Sequence, residues 1–339
     1  DLDIEELECD TPFSDENANV LEEIYNNSNS DDNDDVENDD DSDDSNSNSD
    51  KECSNSDDDD DDDNSDDSDE SENSYGSISS DICENMYAYI NNFPTQMICL
   101  EKCDNTLDSL FESESLDDNT SSAALLQVIM SLLIFQKAFH FTHNDLHTNN
   151  IVYKETDKEY LYFSYKSQFY KIPTYGKIFK IIDFGRSIYK YKGHIFCSDS
   201  FAPGGDASTQ YNFKPYYNPD KPLIEPNYSF DLCRLGCSIY DFIIDDDDED
   251  EDDKNKINRL KETVKRWCTD DTNMSVLYKK NGSERYPNFK LYKMIARTVH
   301  NHTPEAQLDF DFFKQYACCE QDVDLKDVIH IDEIPCYAK

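Results

Sequence analysis

Residues Ala123 to Lys137 read Ala-Ala-Leu-Leu-Gln-Val-Ile-Met-Ser-Leu-Leu-Ile-Phe-Gln-Lys, apolar on nearly every face of a helix. A helix without a water-tolerant side must be wrapped by the rest of its chain or by lipid. Gln127, Ser131, Gln136 and Lys137 interrupt the apolar surface, and no apolar run reaches the ~20 residues of a membrane span. The segment therefore reads as a core helix, capped at Ser121 or Ser122. The chain beyond Lys137 is delivered from the end of a buried, rigid element. It continues into Phe141-Thr-His-Asn-Asp-Leu-His-Thr-Asn-Asn-Ile151 and, further on, Lys180-Ile-Ile-Asp-Phe-Gly-Arg186. His143 and His147 have the i, i+4 spacing of zinc ligands on a helix, but a zinc hydrolase wants glutamate after the first histidine, and Asn144 stands there. Asn149-Asn150 also fits plain turn chemistry.

Taken together, in this order and after such a helix, the two segments resemble the catalytic loop and the metal-binding loop of the protein kinase superfamily. The resemblance covers roughly residues 96–244. A third anchor lies in Ser229 to Ile244, where Asp231 precedes Gly236 by five residues. The fold implied is α+β and protein kinase-like: a mostly helical carboxy lobe with an incomplete amino-terminal lobe. Phosphoryl transfer asks a protein chiefly for positioning and for neutralisation of phosphate charge. By resemblance, Asp145 orients and deprotonates the acceptor hydroxyl, while Asn150 and Asp183 supply the oxygen ligands that a hard cation such as Mg2+ prefers. His143, Phe184, Gly185 and Asp231 support the site; Gly185 permits a sharp turn after the metal ligand. The implied cofactors are ATP and Mg2+.

Two positions depart from the family pattern. Asn144 stands where an arginine is usual, so the resemblance does not extend to control by a phosphate pairing with that arginine. His147 stands where ordinary serine/threonine kinases keep a lysine, and is placed near the γ-phosphate. A histidine there is similar to haspin-type kinases and aminoglycoside phosphotransferases, and His-Asn-Asp is similar to choline kinases. The intact Asp-Phe-Gly returns the resemblance to protein kinases, of the divergent type found in giant DNA viruses.

Charge divides the chain. Of 76 acidic and 30 basic residues, net −46, residues 1–80 hold 34 acids and the single base Lys51. So polar and self-repelling a segment cannot bury enough apolar surface to offset its ordering entropy. It reads as a disordered acidic arm able to bind basic partners. A further nine acids run from Asp245 to Asp253 and read as a flexible loop; outside both tracts the net charge is only −4. No basic patch points to direct nucleic-acid binding. The twelve cysteines show no paired zinc spacing, and Cys233/Cys237 reads as packing. Reduced thiols without a secretory signal place the chain in a reducing intracellular compartment. With the viral resemblance, this means host cytoplasm or virion. The chain begins at Asp1 rather than Met, which suggests a fragment or processed product.

Residues 81–104 read as the remnant of an amino lobe and hinge, and residues 105–339 as the carboxy lobe. Thr95 to Leu100 reads as a strand. By resemblance Leu100 is the gatekeeper, and the backbone of Glu101 and Cys103 bonds adenine. Tyr160–Tyr165 and Gln168–Ile172 read as a hairpin about Lys166-Ser167. Arg186 to Asn227 fits an activation segment, with Glu225-Pro226 in place of the usual Ala-Pro-Glu anchor. Ile257, Leu260, Val264 and Trp267 form a helical stripe, and residues 289–299 another. Thr303-Pro304 starts a helix, and His300 and His302 read as surface residues. No glycine lies between Gly76 and Gly176, so no glycine-rich phosphate loop precedes the catalytic motif, nor does a strand lysine. The function implied is ATP-dependent transfer to Ser/Thr hydroxyls of a protein substrate. The alternatives are a pseudokinase scaffold and a small-molecule kinase of the same fold.

Overall fold

The computed structural model describes residues 92–94, 97–243 and 259–339. The acidic arm of residues 1–80 and the acidic run 245–253 lie outside the described residues. The predicted core helix is α2, Asp118–Phe139. It starts earlier than the apolar pattern suggests, because Asp117 and Thr120 form a reciprocal capping box. By length and composition it could cross a membrane, yet 72% of its apolar window is buried inside this protein. A short helix, α1 (Leu107–Glu112), precedes it, capped by Thr106.

Three antiparallel strands lie beside α2: β1 (Asn105–Thr106), β2 (Ile151–Glu155) and β5 (Lys177–Ile181), in the order β1-β2-β5. The edge of β5 that faces α2 is satisfied by a helix side chain: Phe179 N donates to Gln127 Oε1 at 3.0 Å, and Gln127 Nε2 donates to Lys177 O at 3.2 Å. Gln127, one of the four polar residues that interrupt the apolar helix, thus pairs an otherwise open strand edge.

Between β2 and β5 the predicted hairpin forms from β3 (Tyr160–Tyr165) and β4 (Gln168–Pro173), in register from Tyr160↔Pro173 to Tyr165↔Gln168. Its two turn residues, Lys166 and Ser167, have φ 48° and 64°, the left-handed pair that a two-residue hairpin loop requires. Two later strands extend it into a sheet β8-β4-β3-β9, with β8 at Ala317–Cys318 and β9 at Val328–His330. A small ribbon, β6 (Tyr189–Tyr191) with β7 (His194–Phe196), opens the segment after the Asp-Phe-Gly motif.

The rest is helical: α3 (Phe230–Ile243), α4 (Arg259–Trp267), α5 (Lys290–Thr298), α6 (Pro304–Gln307) and α7 (Asp311–Lys314). Leu260, Val264 and Trp267 of the predicted stripe are buried, and Pro304 begins α6 behind the cap Thr303. Cys233 and Cys237 are buried packing residues.

Four expectations are corrected. Residues 97–100 form no strand and are exposed, Leu100 at 73%. The chain is tied down only beyond them, where the Glu101 carboxylate pairs with Lys154 of β2 and Lys180 of β5. His302 is buried, not a surface residue: its Nε2 bonds Thr269 O at 2.8 Å, and its N–H bonds Ser229 Oγ at 3.0 Å. The left-handed residue at the second motif is Asp183 (φ 59°), not the glycine. Glu225 is exposed and makes no ion pair among the described residues. The segment there is instead folded around Asn212, whose Nδ2 donates to three carbonyls, of Asn218, Lys221 and Pro222.

Candidate active site

The segment Phe141 to Asn150 leaves the end of α2 at His140, whose left-handed backbone breaks the helix. Apart from the backbone bridge that pairs Thr142 with Ile188, it has no regular structure until the 3-10 turn of Thr148–Asn150, so much of its shape has to come from side chains. Asp231 supplies most of it. From the first turn of α3, the fully buried Asp231 carboxylate accepts the backbone N–H of His143 on Oδ2 and of Asn144 on Oδ1, both at 2.9 Å. Burial pushes this carboxyl up, against the pull of His143 and of the two N–H groups.

His143 carries the bracing onward. Asp145 N donates to its Nδ1 at 3.3 Å, so the proton sits on Nε2, which lies 2.9 Å from Ile182 O. This ties the first motif to the residue before Asp183. A second tie runs from Ile182 N to Asn150 O at 3.0 Å. Leu146 plugs the core, and Thr148 bonds both Ser238 of α3, at 3.2 Å, and Asp108 of α1.

Asn144 is buried at φ 64°, a conformation asparagine tolerates better than most residues. Its Nδ2 donates to Arg186 O at 3.0 Å and to Thr142, and its Oδ1 accepts the Tyr211 hydroxyl at 2.6 Å. A neutral side chain thus links the loop to the segment after Asp-Phe-Gly by permanent hydrogen bonds. No modification is needed to make the link.

The chain matches no protein-family model. Over 103 residues, 29% of the chain, it is 32% identical to serine/threonine-protein kinase haspin of Mus musculus, and equally to the haspin of Bos taurus. That stretch spans 13% of the length of each of these relatives. The relationship is protein-kinase-like.

In this kinase-like loop the predicted residues gather around one histidine. Asp145, His147, Asn150 and Asp183 belong to the two tied segments, and both carboxylates act electrostatically on His147. Burial lowers the His147 pKa, helped by Arg234, while Asp145 and Asp183 oppose. The ring is therefore neutral at pH 7. Asn150 Nδ2 donates to Asp145 O at 2.9 Å, which fixes the amide and leaves its Oδ1 without a hydrogen bond among the described residues. Asp183 Oδ1 accepts the Gly185 N–H, at 3.3 Å, and no other hydrogen bond among the described residues, and the residue is exposed. A Cβ on Gly185 would lie 3.2 Å from that oxygen.

An amide oxygen and a carboxylate are hard oxygen donors of the kind Mg2+ takes, its remaining ligands being waters and substrate phosphates. The residues present fit that ion. Both ring nitrogens of His143 are engaged within the protein, with Asp145 N and Ile182 O, and the residue stands on no helix, so it is not poised with His147 as a zinc pair. Phe184 packs edge-on against Phe135 and Phe141 and leans on His143, with ring centroids 5.7–5.9 Å apart, while its outer face stays exposed. Before β1, Lys154 first and then Lys180 hold the Glu101 carboxyl down to about 2. Cys103 Sγ lies 3.9 Å from Glu101 O.

Sequence reasoning missed two residues. Tyr292 of α5 donates its hydroxyl to Asp145 Oδ1 at 2.7 Å, and Arg234 Nε of α3 donates to that same hydroxyl at 2.9 Å. A signal existed for Arg234: it is a charge inside the apolar run Phe230 to Ile239, and a charge there needs a partner. Nothing in the sequence around Tyr292 points to Asp145.

Proposed function

We propose that this chain carries the phosphotransfer site of an ATP- and Mg2+-dependent protein kinase that acts on Ser/Thr hydroxyls, of the divergent type found in giant DNA viruses. The supporting observation is the pair of hydrogen bonds that the Asp231 carboxylate accepts from the backbone N–H groups of His143 and Asn144. A fully buried carboxylate is costly to desolvate. Here it stiffens a loop whose only other conspicuous content is the Asp145, His147 and Asn150 set.

In this reading Asp145 receives the proton of the acceptor hydroxyl as that oxygen bonds to the γ-phosphorus and the bond to the nucleotide's bridging oxygen breaks. Asn150 and Asp183 would hold Mg2+, which when bound neutralises phosphate charge. His147, as a neutral ring, offers an N–H toward the transferring phosphate. The backbone of Glu101 and Cys103 would meet adenine, with Leu100 beside it. A protein acceptor, a basic partner for the acidic arm, and a host-cytoplasmic or virion setting belong to the same proposal.

Radiolabel transfer from ATP to a degenerate Ser/Thr peptide library tests it. Asp145→Asn should reduce transfer by at least ~10²-fold, the scale of a positioned base, with the unfolding midpoint unchanged. Undiminished transfer by that variant removes Asp145 from the role. Transfer to choline or aminosugars but not to peptides would select the small-molecule reading. Nucleotide binding without transfer to any acceptor would select the scaffold.

A further inference from the structure

Asp145 has two oxygens, and the fold treats them differently. Oδ1 accepts the Tyr292 hydroxyl at 2.7 Å, whereas Oδ2 receives no hydrogen bond from any described residue. Behind the phenol, Arg234 Nε donates to its oxygen at 2.9 Å. The chain of donors therefore runs in one direction, from guanidinium to phenol to carboxylate. Burial raises the Tyr292 pKa, so the phenol keeps its proton at neutral pH and remains a donor. A charged donor behind the hydroxyl polarises it and strengthens the bond it gives.

The ring that carries this hydroxyl is held on several sides. Phe289 stacks on it at 5.2 Å and 10°, and Phe230 lies 6.1 Å away. The guanidiniums of Arg234 and Arg186 lie 5.3 and 5.7 Å from its centroid. A ring so held is poorly built to swing aside as a gate. It is well built to hold whatever its hydroxyl touches.

We infer that Tyr292, carried by Arg234, is a positioning residue for the proposed transfer: it fixes Oδ1 of Asp145 and so presents Oδ2 to the acceptor hydroxyl. The inference rests on the kinase reading of Asp145, but the hydrogen-bond relay can be tested without it.

Two measurements on the full chain decide the matter. The first needs no activity. In protein carrying 13C-labelled aspartate, the Asp145 carboxyl resonance, assigned by its loss in Asp145→Asn, should move in Tyr292→Phe. It should move similarly in Arg234→Met, and no further in the double variant. A resonance that ignores Tyr292→Phe overturns the inference, whatever reaction the protein performs. The second is turnover. Tyr292→Phe keeps the ring and loses only the hydroxyl, so kcat for peptide phosphorylation should fall on the order of tenfold, part of the ~10²–10⁴-fold that a positioned base contributes. The KM values for ATP and for peptide should change less than twofold. A rise in kcat, or a fall in peptide KM, would mean that Tyr292 blocks the acceptor site, and would overturn the positioning role. If Asp145→Asn turns over like the unmodified chain, the kinase reading fails, and the carboxyl resonance still decides whether the relay exists.

Discussion

Asp231 shows how much one side chain can set. Its two oxygens serve two backbone N–H groups of a loop that has no ladder or helix of its own to satisfy them. Asparagine at this position keeps the size but offers a single acceptor oxygen, so one buried N–H would face an amide NH2. Leaving such a group unsatisfied costs about 1–3 kcal/mol. Asp231→Asn should therefore lose about that much in urea unfolding, and a loss under about 0.5 kcal/mol would show that the loop holds its shape without both bonds. The sequence pointed to Asp231 and Gly236 through their resemblance to a spacing that kinases keep. It said less about Asn144, which looked like a gap in a motif and is in fact a buried junction with Tyr211 and Arg186. It said nothing of Tyr292, because a contact between α5 and the loop leaves no local pattern in either segment.

At the scale of elements, periodicity and turn chemistry carried most of the fold. The apolar run became α2, the alternating Tyr-rich stretches became β3 and β4, and the stripe ending in Trp267 became α4. The failure at residues 97–100 has the same root. A short apolar run becomes a strand only where it pairs with another, and residues 97–100 pair with none of the described strands. Gly236 tests element packing directly. An added Cβ would lie 2.9 Å from Trp267 Cβ and 3.3 Å from Cys268 Sγ. Trp267 cannot easily give way, since it stacks on Phe313 at 9° and donates Nε1–H to Gln307 at 2.8 Å. Two effects compete in Gly236→Ala. Helix propensity favours alanine by about 1 kcal/mol, while overpacking a tight contact costs about 1–3 kcal/mol. Overpacking should win, lowering the urea midpoint with an unchanged slope. A higher midpoint would show that α3 and α4 can part without cost.

For the whole molecule, net charge misleads and buried titrating groups matter more. The acids that make the sequence −46 are concentrated in residues 1–80 and 245–253, outside the described residues, and the rest of the chain carries only −4. Its pH dependence should come from particular side chains. His302 joins α3, through Ser229, to the turn at Thr269, and burial lowers its pKa below the ordinary 6.5. Above pH 6.5 neither the folded nor the unfolded chain protonates it. As pH falls below 6.5 the unfolded chain takes a proton that the folded one resists, so stability declines until the folded-state pKa is passed. Asp270 acts lower. Burial works against its charge, but bonds from Thr272, from the N–H groups of Met274 and Thr272, and from Arg285 together hold its carboxyl below the ordinary 3.8. Its contribution is whole above 3.8 and lost as pH falls through the lowered value. Unfolding free energy measured in urea should therefore be flat from pH 8 to 6.5, decline as pH falls below 6.5, and fall again below 3.8. His302→Gln should flatten the middle step and leave the acid step in place, because the glutamine amide can still donate to Thr269 O and does not titrate. An unaltered middle step in that variant would assign the decline to other groups, His147 first, whose pKa burial also lowers.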